Sequence, residues 1–146
     1  MSLYKHVLLA ADFSDHCQEV AKTAKQIAIQ NQALLSVVYV FENFAVADPM
    51  YSPMTFDAEF TDELMTSFKT RLQKFATEMD IPTDRQWFEL GSPKLEIVRV
   101  AEENQVDLIV LGSHGRHGFA LLLGSTANGV LHHAKCDVLA VRLKDD

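Results

Sequence analysis

The chain is short of cysteine, with only Cys17 and Cys136 among its 146 residues, far apart and in no CxxC arrangement. That scarcity excludes a disulfide framework and a cysteine-built zinc site, and leaves two reduced thiols of the core as the expected reading. Long hydrophobic runs are also missing. The run Val7–Ala11 is too short for the apolar part of a signal peptide, and nothing approaches the roughly 20 apolar residues that span a bilayer. Basic residues are in deficit, 13 against 20 acidic ones for a net charge of −7, which argues against a general binder of nucleic acid or anionic membrane. A cytoplasmic location follows as the expectation. Acidity does not exclude a phosphate ligand, because backbone N–H groups at a helix start supply local positive potential.

What is present is an ordinary globular composition, 48% apolar and 23% charged, at a length that suits one domain over residues 1–146. Val7–Ala11, Val37–Phe41, Leu108–Leu111 and Val138–Val141 are apolar without alternation, as in strands buried on both faces. Gln86–Leu90, with the sole tryptophan Trp87, is a weaker fifth strand. Helix-period stretches lie between them. The first is expected to start with Ser14 as N-cap and to bury Cys17, Ala21, Ala24 and Ala28. The second presents Phe60, Leu64, Phe68, Leu72, Phe75 and Met79 at spacings of three and four. The third opens on Ser92 and Pro93 and presents Leu95, Val98 and Ala101, and the fourth runs from about Ser125 to His133. Strict alternation of strand and helix predicts one doubly wound, parallel, five-stranded α/β sheet with helices on both faces. In such sheets ligands bind beyond the carboxyl ends of the strands, where the strand order reverses. The loops after the first and fourth strands are therefore the candidate site.

The fourth strand leads into Leu111-Gly112-Ser113-His114-Gly115-Arg116-His117-Gly118, and Gly124-Ser125-Thr126 opens the next helix. Glycines here suit backbone N–H groups that approach an anion, and equally suit a merely tight loop. The loop is neither a Walker P-loop, since no lysine precedes Ser125, nor the dinucleotide fingerprint, which belongs after the first strand. That first strand ends in Ala10-Ala11-Asp12. Asp12 reads either as a carboxylate for a ribose hydroxyl or a divalent metal, or as a turn residue that helps the first helix begin. The segment from Glu42 to about Phe56, with Met50, Tyr51 and Met54, reads either as a mobile surface loop or as a lid. Replacing Gly129 by alanine is expected to stabilise its helix by about 1 kcal/mol, unless a packed neighbour needs the space.

These motifs together resemble the universal stress protein family. The resemblance rests on Tyr4-Lys5-His6-Val7-Leu8-Leu9-Ala10-Ala11-Asp12-Phe13-Ser14, on Asp107–Gly115, on Gly124–Leu131 and on Cys136–Val141, and it covers the whole chain. It implies the adenine nucleotide alpha hydrolase-like sheet of order 3-2-1-4-5 and a homodimer, here expected through an antiparallel pairing of Val138–Val141 with its copy. The family has ATP-binding members, whose pattern resembles G-x2-G-x9-G-[ST], and members that bind no nucleotide. This chain has Gly112-x2-Gly115 and then Gly124-Ser125, with eight residues instead of nine between Gly115 and Gly124. Carried over by that match, Asp12 would meet the ribose or a Mg or Mn ion, and the backbone of Val40 the adenine. Ala10, Ala11, Leu111, Gly112, Ser113, His114 and Gly115 would line the ribose and phosphate side, and Gly124, Ser125 and Thr126 would hold the phosphates of ATP. The implied function is an ATP-binding stress-response regulatory module with protein partners still to be named and no dedicated catalysis. The alternatives are a nucleotide-free protein that acts through its dimer and partners, and a slow ATP hydrolase.

Overall fold

The computed structural model describes residues 2–42, 58–113 and 123–142. Five strands form one parallel sheet: β1 (His6–Ala11), β2 (Leu34–Phe41), β3 (Gln86–Leu90), β4 (Leu108–Gly112) and β5 (Asp137–Val141), in the order β3-β2-β1-β4-β5. Among the described residues four α-helices connect them: α1 (Cys17–Asn31), α2 (Ala58–Glu78), α3 (Pro93–Glu103) and α4 (Ser125–His133). The doubly wound expectation and the strand order both hold.

Residues of odd number on β1, Val7, Leu9 and Ala11, pack with Val37, Tyr39 and Val110 against α1 and α2. Leu8 packs with Val38, Val40, Ile109 and Leu111 against α3 and α4. The central strands are thus covered on both sides, which is why their sequences are apolar without alternation. Cys17, Ala21, Ala24 and Ala28 of α1 are buried as expected, joined by Val20. Pro93 opens α3 with Ser92 as N-cap, again as expected, although the Ser92 side chain makes no capping bond.

Four local expectations need correction. Helix α1 begins at Cys17, not after Ser14. The Ser14 N–H donates to Oδ1 of Asp12 at 2.9 Å, and the Ser14 carbonyl accepts from the Cys17 N–H, so these residues form a turn ahead of the helix. On α2, Leu72 and Phe75 are buried, as is Met79 just past its end, but Phe60 is 60% exposed and Leu64 38%. At about 1.5 Å per residue the 21 residues of α2 reach about 31 Å, while the five of β3 reach about 17 Å, so the first turns of α2 overhang the sheet. On α3, Leu95 is exposed, and Ile97 and Val100 are buried beside Val98 and Ala101. Cys136 is also only half-buried, lining a cavity of about 320 Å³ with Val98, Val106 and Ala134 near the amino ends of β4 and β5.

Candidate functional site

The sheet opens at the carboxyl ends of its two central strands. Pairing of β1 with β4 stops at Leu9 opposite Val110. On the outer sides the ladders continue, β1 with β2 as far as Ala11 opposite Tyr39, and β4 with β5 as far as Gly112 opposite Val141. The chain leaving β1 turns to α1 on one face, and the chain leaving β4 leads to α4 on the other. This is the switch point of a doubly wound sheet, and the parting of β1 from β4 makes it a crevice.

On the β1 side, the turn reading of Asp12 is met. Its Oδ1 accepts the Ser14 N–H, which is the turn role, while the side chain stays half-exposed at the mouth of the crevice. Phe13 follows with φ of +56°, a left-handed conformation uncommon for a bulky residue. Its ring stacks on Tyr39 at 4.7 Å between centroids and meets Phe75 edge-on at 6.0 Å. The Arg71 guanidinium lies over the same ring, 4.7 Å from its centre. These contacts anchor the residue after Asp12 and so fix the turn that presents the carboxylate. Sequence reasoning passed over Phe13; the only signal was an aromatic residue set between Asp12 and Ser14. Cys17, below the turn, is buried, and burial pushes its thiol above the ordinary thiol range. Both disfavour the thiolate that a nucleophilic cysteine needs.

On the β4 side, the loop is closed at its neck. The Ser113 N–H donates to the Val141 carbonyl at 2.8 Å, and the Ser113 carbonyl accepts the Gly124 N–H at 2.6 Å. Gly124 is the N-cap of α4, extended at φ −64° and ψ 157°, and among the described residues no side chain caps this helix. The first N–H groups of α4 therefore lack helical partners at the carboxyl end of β4. The Gly124 N–H bond to Ser113 holds the head of α4 against the end of β4.

The expected residues distribute as follows. Gly112, Ser113, Gly124 and Thr126 are half-buried around the neck, and Ser125 is exposed on the first turn of α4. Ala10 is half-buried on the α3 and α4 face. Ala11, Val40 and Leu111 are buried in the core, so only their backbones can serve a ligand. Val40 stands one position beyond the last β1–β2 pair, on the strand next to the crevice. His114 and Gly115 lie outside the described residues, as do Arg116, His117, Gly118 and the possible lid from 43 to 57. Among the described residues no three His, Cys, Asp or Glu side chains gather in a group that could hold a metal.

The family model that matches this chain is the universal stress protein family, over residues 3–142. The chain belongs to that family. Curated relatives include universal stress protein A homologs 1 and 2 of Coxiella burnetii. The first is 39% identical, over 97% of this chain and 99% of its own length. The second is 37% identical, over 99% of each. Among solved structures, that of the hypothetical protein MJ0577 superposes with a TM-score of 0.80 at 25% identity over 99% of both chains. UspA from Lactobacillus plantarum gives a TM-score of 0.78 at 27% identity, covering 97% of this chain and 100% of that one. A universal stress protein solved in complex with cAMP shares the fold, with a TM-score of 0.67 at 24% identity.

Proposed function

We propose that this universal stress protein binds ATP across the carboxyl ends of β1 and β4 and acts as a regulatory module through a homodimer. The observation that carries this reading is the crevice itself. A half-exposed carboxylate borders one side, and on the other an uncapped helix start is hydrogen-bonded to the end of β4. Phosphates would meet the N–H groups of Ser125, Thr126 and Ala127, and the ribose would meet Asp12. A Mg or Mn ion, if it accompanies the nucleotide, would be held by phosphate oxygens together with Asp12. The cAMP complex is a property of another protein; it supports an adenine nucleotide as a ligand this scaffold can admit. Binding loops without a positioned base would hold the nucleotide without activating water, so turnover should be slow or absent.

The homodimer would form at β5, the sheet edge, whose Val138–Val141 are all half-buried in the single chain. An apolar edge with unpaired backbone groups invites a second copy. The test of the site is a search for co-purifying nucleotide, followed by calorimetric titration of ATP into wild type, Asp12→Ala, Gly115→Val and Gly124→Val, each checked for folding. Wild type should bind, and the three variants should bind more weakly. A wild type that binds nothing at millimolar ATP would leave the nucleotide-free reading, in which the β5 edge alone carries the function.

A further inference from the structure

Lys94, the second residue of α3, lies across α4 at Gly129. A Cβ placed on Gly129 would stand 2.6 Å from Cδ of Lys94, 2.7 Å from its Cβ and 3.1 Å from its Cγ. Real Cβ atoms do not come that close, so the stem of Lys94 occupies the space that a side chain at 129 would need. Gly129 is four residues past Ser125, about one helical turn. Helices α3 and α4 cover the same face of the sheet, and both start at its carboxyl end. The stem of Lys94 thus packs on α4 about one turn from its start.

Its charge is unclaimed. Lys25 pairs with Asp80, Lys135 with Glu102, and Arg99 with Glu89, Glu96 and Glu103. Lys94 is exposed, and among the described residues no carboxylate lies within ion-pair distance of it. In a chain with 20 acidic residues, an unpaired lysine at this end of the sheet is a cation open to a ligand. No lysine precedes Ser125 in the glycine-rich segment of the sequence.

We propose that Lys94 is the counter-charge for the outer phosphates, so that the site selects a linear nucleoside polyphosphate over a cyclic monophosphate or a nucleoside. This rests on the nucleotide reading above. A lysine ammonium is a compact charge with rotatable donors on a flexible stem, suited to an extended phosphate chain. A cyclic monophosphate carries a single charge tied to the ribose and would leave the ammonium unmatched.

The experiment is calorimetric titration of ATP, cAMP and adenosine into wild type, Lys94→Ala and Lys94→Arg, with urea unfolding of each as a control. Lys94→Ala should weaken ATP about tenfold, as expected for loss of one charge-assisted contact, and leave adenosine unchanged. Lys94→Arg should restore most of the ATP affinity, and the ATP affinity of wild type should fall more steeply with salt than that of Lys94→Ala. An alanine variant that binds ATP as tightly as wild type, while Asp12→Ala and Gly124→Val bind weakly, overturns the role of Lys94 and leaves the site standing. Equal weakening of ATP and adenosine also overturns it, since that is the mark of a packing role. A wild type that binds no ATP overturns the site and this inference together.

Discussion

Replacing Gly129 by alanine sets two terms against each other. Alanine in a helix interior is better than glycine by about 1 kcal/mol, because glycine loses more backbone freedom on folding. Against that, the new Cβ overlaps two atoms of Lys94 and crowds a third, and overpacking of this kind costs about 1–3 kcal/mol. The balance is a net loss of about 0–2 kcal/mol, so the neighbour reverses the gain expected from the helix alone. The two closest atoms behave differently. Cδ of Lys94, at 2.6 Å, can swing away, whereas Cβ, at 2.7 Å, is fixed to the α3 backbone and yields only if the helices part. Truncating Lys94 to alanine therefore relieves part of the overlap and leaves the rest. Urea unfolding followed by circular dichroism measures both steps as a double-mutant cycle. With a slope of about 2 kcal/mol per molar urea, a loss of 1 kcal/mol lowers the midpoint by about 0.5 M. Gly129→Ala should cost less in the Lys94→Ala background than in wild type, and it should gain no stability in either. A gain of about 1 kcal/mol in the wild-type background would refute the close approach of α3 and α4.

The remaining predictions concern the other end of the sheet and its edges. Nδ1–H of His6 donates to the Asn104 carbonyl at 3.0 Å, so Nε2 accepts from the Ser36 hydroxyl, and burial holds the imidazole below its usual pKa. The unfolded chain then takes up the proton first, so this contribution is complete above about pH 6.5 and is lost as pH falls toward the folded pKa. Urea midpoints should decline below pH 6.5 in wild type and decline less in His6→Leu; equal slopes would refute the assignment. Arg99, 39% exposed, joins α3 to the edge strand β3 through Glu89 at 2.9 Å. Arg99→Ala should cost no more than about 1 kcal/mol, less at high salt, and a salt-independent loss would contradict an electrostatic origin. A charge at Val138 or Val141 should yield a folded monomer by light scattering; an unchanged dimer mass would place the interface elsewhere.

The central strands were legible because their burial on both faces writes itself as a continuous apolar run. Where a strand breaks that rule, its start was hidden. β2 begins at Leu34, three residues before the run Val37–Phe41, and the residue that interrupts is Ser36, wholly buried yet satisfied by His6 from the neighbouring strand. No local pattern contains such a partner. The start of α1 was hidden for a similar reason. Ser14 has the chemistry of an N-cap, but Asp12 takes its N–H first and Phe13 turns the chain, so the helix waits until Cys17. The glycines of the site could be read from spacing, because a missing Cβ leaves a mark in the sequence. The crevice could not. It depends on where the β1–β4 ladder stops relative to its neighbours, which is a matter of register. Gly129 carried the ambiguity in its sharpest form: its cost to the helix was readable, and the lysine that repays it comes from another helix.

The neck of the loop places the proposed ligand and the proposed dimer edge on one short stretch of backbone. Ser113 donates to Val141 of β5 and accepts from Gly124 at the head of α4. An anion drawn to the N–H groups of Ser125–Ala127 pulls on the residue bonded to the Ser113 carbonyl. A partner strand on β5 constrains Val141, which receives the Ser113 N–H. If nucleotide shifts this stretch by any amount that the β5 edge registers, reciprocity requires dimerisation to change nucleotide affinity, and because a dimer holds two sites its dissociation constant at saturating ATP changes by the square of the per-site factor. The comparison needs two numbers from one pair of proteins: the dimer dissociation constant with and without ATP, and the ATP affinity of the dimer against that of the Val138→Lys monomer. A ratio of dimer constants equal to the square of the per-site affinity ratio, and different from one, would make the neck the coupling element. Ratios of one on both sides would mean that nucleotide and dimer act independently, and that the hydrogen bonds of Ser113 serve only to close the loop.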